Sequence, residues 1–528
     1  MTLSGKTLPA KIYASVTDTS SIAVVLPPSA TGRSEIQSVS YSELRALVSA
    51  LSRQLNGLAE LNERQVSISI SLPNSLEFLI AFLAIGQNAL IAAPLNPAYT
   101  RDEAEFYLSD SSAKLLLVPK GALSSPPSGA VQAAQNLGIL IGEVIYLTNQ
   151  RAIVLEIAGR QVLLGPTLHD IRPQESDTML LLHTSGTTGK PKAVPLSHRN
   201  LITTMYNIKN TYNLTASDRS FIVMPLFHVH GLLAALLAPL GSGGSCVIPP
   251  QFAARSFWNE FQLSHSNWYT AVPTIHQILL HSPIPSPLPK IRFIRSCSSA
   301  LSQTTHQELE LTFRAPVLEA YAMTEATHQM TSNPLPPAKR KPGTVGLPQG
   351  VDLRILSFDS EDEVEEGEVC IRGPNVTAGY LNNQKANTES FTTQGRFFRT
   401  GDRGKLDADG YLTLTGRLKE LINRGGEKLS PLELDGALLT VPGVAEAVAF
   451  GVPNSKYGEV PWAAVVLKNG TQITQNDIQK DLSKRLGQFK IPEKIFIVDK
   501  IPKTATGKVQ RRKVAEVFLV QNQHKPRL

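Results

Sequence analysis

LLHTSGTTGKPK (residues 181–192) is a loop rich in hydroxyls and glycine that follows an apolar run and ends in two lysines. Glycine lets backbone N–H groups come close to an anion. Thr184, Ser185, Thr187 and Thr188 add hydroxyl donors, and Lys190 and Lys192 add charge around Gly186 and Gly189. The set suits a polyphosphate. A Walker A loop needs four residues between its glycines and then Lys-Ser/Thr opening a helix. Here two residues separate Gly186 from Gly189, and Pro191 disfavours helical geometry at Lys190. Gly/Ser/Thr clusters are commonly plain surface turns. The apolar residues 179–182 that deliver this one, and the Lys-Pro-Lys that closes it, favour anion binding instead.

Outward from the loop, short apolar runs alternate with helical patterns. Residues 65–72, 89–93 and 114–118 read as strands, and 77–86 and 102–109 as helices. Such alternation predicts α/β layers with mainly parallel strands. Residues 124–129 and 282–289, rich in Pro and Ser, read as loops. GRLKELINRGGEKLSP (416–431) reads as a basic connector rather than a packed element. Beyond it lies a unit of roughly 105 residues, within the usual domain range.

With 528 residues, two or more domains are expected. At 42% hydrophobic and 18% charged, the composition is that of a globular protein. Residues 221–240 are apolar but interrupted by His228, His230, Gly231 and two prolines, which makes them a buried wall and a poor membrane span. The N-terminal residues lack the apolar segment of a secretory signal. Cys246, Cys297 and Cys370 have no metal-ligand spacing, which fits a reducing compartment and argues against zinc. From Arg417 onward 19 Lys/Arg face 11 Asp/Glu, so the whole surplus of the +7 net charge lies in the last fifth of the chain. A basic lobe could serve nucleic acid, an anionic membrane or a polyphosphate ligand. Basic motifs interleaved with aromatics are absent, which favours the small ligand over nucleic acid.

The loop resembles the phosphate-binding signature of the adenylate-forming superfamily, which includes acyl- and aryl-CoA synthetases, luciferases and peptide-synthetase adenylation domains. The resemblance runs from residue 41 to 513 with motifs in order. It implies a large, multi-layered N-terminal α/β domain (1–418) and a small mobile α+β C-terminal domain (419–528) hinged at Lys419. The implied substrates are ATP with Mg²⁺, a carboxylic acid and coenzyme A. In AYAMTEATH (320–328), Tyr321 is implied to pack on adenine, Thr324 to touch the α-phosphate and Glu325 to hold Mg²⁺, with Glu319 and Ala320 beside the nucleotide. In RTGD (399–402) and GRLK (416–419), Asp402 and Arg417 are implied to hold the ribose or phosphate. IPKTATGKVQRR (501–512) matches the terminal signature, which makes Lys508 the removable cation of adenylation. Gly425 and Gly426 are implied to border the coenzyme A path.

For the acid pocket, the resemblance places His228 of PLFHVHG (225–231) near the reacting carboxylate and His230 and His328 at acyl positions. The resemblance implies a further wall from Ser296, Cys297, Ser298, Ser299 and Ala300, with Ser298 and Ala300 also beside ATP. The family usually shows Gly-Gly-Ala-Pro there. Two histidines and several hydroxyls suit a short acid with a second carboxylate, because buried polar groups without partners each cost about 1–3 kcal/mol. RSCSSAL (295–301), EAYAMTEATHQMTSNPLPP (319–337) and GTVGLPQG (343–350) are similar to the branch of the superfamily that joins oxalate to coenzyme A. Malonate, acetate or a small aryl acid are the alternative substrates. The tail Lys525-Pro526-Arg527-Leu528 keeps the basic-Leu ending of a peroxisomal signal, which implies an import receptor as partner and a peroxisomal rather than cytoplasmic address.

Overall fold

Alternating apolar runs become two large sheets with a shared core between them. The computed structural model describes residues 5–124, 126–165, 172–184, 191–425, 427–468, 470–504 and 509–523. In the first sheet, strands Ile22–Leu26, Ser245–Val247, Arg219–Ile222, Trp268–Ala271, Phe293–Ser296 and Val317–Met323 lie side by side and parallel. Antiparallel strands flank them, Gln37–Ser40 on one side and His328–Ser332 with Leu347–Pro348 on the other. The second sheet has Thr178–Thr184, Ile91–Pro94, Ser67–Ile70, Leu115–Pro119 and Leu140–Leu147 in parallel order. The strands and helices expected between residues 65 and 118 are all present, with ends shifted by at most two residues.

Helix Leu76–Gln87 explains how the sheets hold together. Residues Phe78 through Ile85 are all fully buried, so the helix is apolar around its whole circumference, as a helix inside a core must be. One cluster of buried side chains runs from Val24, Ile222 and Phe293 of the first sheet through this helix to Ile68, Ile70 and Leu180 of the second. Ends are set locally. The Thr100 hydroxyl accepts from the backbone N–H of Glu103, and the Glu103 carboxylate accepts from the N–H of Thr100, which starts helix Arg101–Asp110. Among the described residues no helix is long and apolar enough to cross a membrane.

Two smaller sheets follow. Asp352–Leu356, Glu366–Arg372, Phe398–Leu406 and Leu412–Arg417 form an antiparallel sheet. The last sheet combines Ile422–Arg424, Glu427–Leu429, Val444–Asn454, Gly458–Leu467 and Lys494–Ile497, with helices Pro431–Leu439, Gln475–Leu482 and Arg511–Gln523 around it. Between these two sheets lies the 3-10 turn Leu418–Glu420, which contains Lys419.

The reading of residues 416–431 as an unpacked connector is corrected here. Gly416 and Arg417 close a strand, and Ile422 pairs with Leu429 and Arg424 with Glu427 in a hairpin. Ile422 and Leu429 are both buried in the small domain's core. Two apolar side chains at cross-strand positions outweigh the basic, glycine-containing composition.

Candidate active site

The parallel strands of the first sheet aim their carboxyl ends at one region, where open α/β sheets bind ligands. The segment 225–231 follows Arg219–Ile222, residues 297–300 follow Phe293–Ser296, and the Thr324–Ala326 turn follows Val317–Met323. Ser296 pairs with Glu319 across neighbouring strands, so the serine-rich wall lies beside the tyrosine segment.

Thr184 and Lys192 face each other at the ends of antiparallel strands Thr178–Thr184 and Lys192–Ser197. Between them in the sequence, Ser185, Gly186, Thr187, Thr188, Gly189 and Lys190 lie outside the described residues. The Lys192 ammonium sits 4.5 Å from the centre of the Tyr380 ring, a favourable cation–π placement. The Tyr380 hydroxyl donates to Glu325 Oε1 at 2.8 Å. Burial pushes the Glu325 carboxyl above its usual range, and the Tyr380 hydrogen bond and the charges of Arg417 and Lys192 oppose that rise. The backbone N–H of Thr377 donates to the Glu325 carbonyl at 2.7 Å, which fixes the segment carrying Tyr380 against the Thr324–Ala326 turn.

Three distant motifs meet at Asp402. The Tyr321 hydroxyl donates to its Oδ2, and Arg417 Nε donates to its Oδ1 at 2.9 Å. Arg417 stands opposite Asp402 in strand register. Asp402 is buried, yet a carboxylate offers about four lone-pair sites, so two stay available to a vicinal diol such as a ribose. Beside Tyr321, Ala320 lies in the same buried strand, and Glu319 accepts from the Gly343 N–H at 2.8 Å. Burial pushes the Glu319 carboxyl up to about 7.

The second cluster is polar and enclosed. His230 Nε2 lies 2.6 Å from Thr270 Oγ1 and its Nδ1 lies 3.1 Å from Ser298 Oγ. His328 stacks on it with ring centres 5.2 Å apart. Both rings are fully buried or nearly so. Burial first, then the Arg295 charge, holds them well below the ordinary histidine range, so they are neutral. Among the described residues His328 Nε2 and Ser296 Oγ have no hydrogen-bond partner. His328 also has φ 108, which is strained for a side chain other than glycine and typical of a functional position. Half-buried His228 accepts the backbone N–H of His230 on its Nδ1 at 3.2 Å. Ser298, half-buried with φ 73, and exposed Ala300 carry the wall toward solvent. Gly231 follows His230 because a Cβ there would lie 2.3 Å from the Pro225 carbonyl oxygen.

The structure therefore brings together Thr184, Lys192, Glu325, Tyr321, Asp402 and Arg417 in one set, and His230, Ser298 and His328 in another. Gly425 turns the hairpin at φ 61, its N–H donating to the Tyr457 carbonyl at 2.7 Å, beside a cavity of about 980 Å³ lined by Arg424, Tyr457, Lys480 and Phe489. Gly426, Lys508 and Pro526-Arg527-Leu528 lie outside the described residues; the bridge between Lys503 and Val509 brackets the segment carrying Lys508. Sequence reading missed Tyr380, Thr270 and Arg295. Arg295 opens the quoted RSCSSAL, and only the residues after it were assigned; a threonine in an apolar strand and a lone tyrosine gave no signal.

Residues 18–381 match the AMP-binding enzyme family and residues 433–508 its C-terminal domain. The chain is similar to an oxalate–CoA ligase of Saccharomyces cerevisiae, 50% identical over 88% of this chain and 89% of the relative. It is 50% identical to an oxalate–CoA ligase of Arabidopsis thaliana over 86% of this chain and 88% of the relative. Among solved structures, ATP-bound MatB from Rhodopseudomonas palustris superposes with a TM-score of 0.85 at 28% identity, covering 97% of this chain and 99% of that one.

Proposed function

The chain belongs to the AMP-binding enzyme family and is an AMP-forming acid–CoA ligase; from that premise we propose that its acid is a short dicarboxylate, oxalate first. One observation carries the substrate: the enclosed His230–His328–Ser298 cluster, with the unpartnered His328 Nε2 inside it. Such a surface leaves polar groups unsatisfied against a fatty chain and satisfies them against a second carboxylate. The half-identity to two oxalate–CoA ligases supports the same choice.

In the first half-reaction a carboxylate oxygen of the acid attacks the α-phosphorus of ATP. The bond to the β-phosphate breaks, and pyrophosphate leaves. We assign Asp402 and Arg417 to the ribose, Tyr321 to adenine, Thr324 to the α-phosphate, and the 184–192 segment with Lys192 to the departing phosphates. His228 lies near the reacting carboxylate, and Lys508 neutralises the charge that develops on the α-phosphate oxygens. Glu325 suits Mg²⁺, because a buried carboxylate with one oxygen held by Tyr380 gains a counter-ion when a cation binds. Mg²⁺ would offset charge on the phosphate oxygens. In the second half the coenzyme A thiolate attacks the acyl carbon, the thioester forms and AMP leaves. Rotation of the C-terminal domain about Lys419 withdraws Lys508 and brings Gly425 and Gly426 to the coenzyme A path.

ATP–pyrophosphate exchange over oxalate, malonate, acetate and a small aryl acid tests the reading. Oxalate should give the highest kcat/KM; preference for a monocarboxylate would overturn it. Peroxisomal delivery through Pro526-Arg527-Leu528 is a separate proposal. Fusing the last twelve residues to a reporter tests it, and a diffuse signal would exclude a self-sufficient address.

A further inference from the structure

Arg295 is wholly buried in the strand Phe293–Ser296, at the floor of the histidine cluster. Its Nε donates to the Tyr212 hydroxyl at 2.8 Å, one terminal nitrogen donates to Thr270 Oγ1 at 3.1 Å, and the other to Gln329 Oε1 at 3.2 Å. Every one of these acceptors is neutral. Nearby Arg292 pairs with Asp218 at 2.9 Å, whereas no described carboxylate pairs with Arg295. A guanidinium does not shed its proton in a protein, and a buried charge without a counter-charge is costly. The fold keeps a fixed positive charge with no carboxylate against it among the described residues.

The arginine also gives the neighbouring hydrogen bonds a direction. It can only donate, so Thr270 Oγ1 accepts from it and turns its own hydrogen toward His230 Nε2, 2.6 Å away. That nitrogen also lies 3.5 Å from the guanidinium, so it is the unprotonated one. Nδ1 therefore carries the hydrogen and donates to Ser298 Oγ at 3.1 Å. The Ser298 hydroxyl hydrogen is left to point onward, from the half-buried residue at the open end. Arg295, Thr270, His230 and Ser298 form a chain of donors running from a closed cationic end toward the cleft.

We propose that Arg295 is a positioning residue for substrate choice: it orients the Thr270–His230–Ser298 chain as donors and supplies the positive field that favours an acid with a second carboxylate. The inference rests on the dicarboxylate reading above and deepens it. With both histidines neutral, the charge of the pocket belongs to the arginine and does not change across the working pH range.

The test compares oxalate with glyoxylate, which lacks the second carboxylate, by ATP–pyrophosphate exchange. Arg295→Met should lower kcat/KM for oxalate at least tenfold, mainly through KM, and leave glyoxylate and the KM for ATP within threefold. Burial keeps His230 and His328 neutral with or without the arginine, so between pH 8 and pH 6 the oxalate KM of this variant should stay raised. A merely structural arginine would not move the oxalate-to-glyoxylate ratio. Arg295→Lys should restore at least a third of the discrimination. Thr270→Val, which cuts the chain but keeps the charge, should lose part of the discrimination. An Arg295→Met enzyme as selective as the parent overturns the inference, and if that variant does not fold, the Lys and Val variants decide by the same ratio. A parent enzyme that prefers glyoxylate sinks the dicarboxylate reading itself, which is recognisable before any variant is made.

Discussion

Glu319 and Tyr380 show how single side chains govern this site. Glu319 is buried with the Gly343 N–H as its hydrogen-bond donor, and burial lifts its carboxyl from 4.5 to about 7. In the unfolded chain the same group ionises near 4.5. Between these values the folded protein binds more protons than the unfolded one, so stability falls as pH rises through the window. The loss is on the order of 3 kcal/mol at one pKa unit per 1.36 kcal/mol. Glu319→Gln, which cannot ionise, should gain stability over the parent as pH rises from 5 to 8 in denaturant titrations; parallel profiles would refute the shifted carboxyl. Tyr380 links Lys192 to Glu325 through its ring face and its hydroxyl. Tyr380→Phe keeps the ring and removes the donor. A hydrogen bond to a charged group contributes roughly 1.5–3 kcal/mol, so kcat/KM for ATP should fall about 10- to 100-fold and the Mg²⁺ requirement should rise. Unchanged Mg²⁺ dependence would take Glu325 out of its assigned role.

Secondary-structure elements explain why some of this was legible in the sequence. Gly346, in the quoted GTVGLPQG, has φ +82, and a Cβ there would lie 1.9 Å from the Ser332 carbonyl carbon. The strand ending at Ser332 and the strand Leu347–Pro348 can pair only if no side chain stands between them. Gly346→Ala should therefore destabilise the protein by about 2 kcal/mol or more and displace the His328–Ser332 strand, lowering acid discrimination as well as the melting temperature. Period and punctuation revealed the strands and helices between residues 65 and 118, and motif strings gave Tyr321, Asp402 and Arg417, because each signal is local. Sequence-distant registers left no such mark. Arg295, Thr270 and His230 are brought together by neighbouring parallel strands and the segment that follows one of them, and Tyr380 reaches Glu325 from 55 positions away. The hairpin at 422–429 was misread for a related reason: burial of Ile422 and Leu429 depends on a core built by the rest of the small domain.

At the scale of the whole molecule, two half-reactions make opposite demands on one site. Adenylation needs a cation at the α-phosphate, and thioester formation needs that position vacated for the incoming thiol. A fixed residue cannot satisfy both, so the cation should ride on a part that moves. Arg511 binds Glu420 Oε2 at 3.0 Å and Asp435 Oδ2 at 2.9 Å, which ties the turn containing Lys419 to the body of the small domain and to the start of helix Arg511–Gln523. Lys508 lies three positions before Arg511 in the sequence, next to that tie along the chain. Turning the domain at residue 419 would then carry Lys508 with it. Lys508→Ala should reduce pyrophosphate exchange by at least a thousandfold, as loss of a transition-state cation does. Formation of the thioester from supplied acyl-AMP and coenzyme A should stay within a few-fold of the parent. Arg511→Met should weaken both halves, because it frees the anchor and leaves Asp435 buried without its partner, at a cost of about 3–5 kcal/mol in stability. Equal loss of both halves in Lys508→Ala would place the lysine in the shared binding surface, and the argument for a swinging cation would fail.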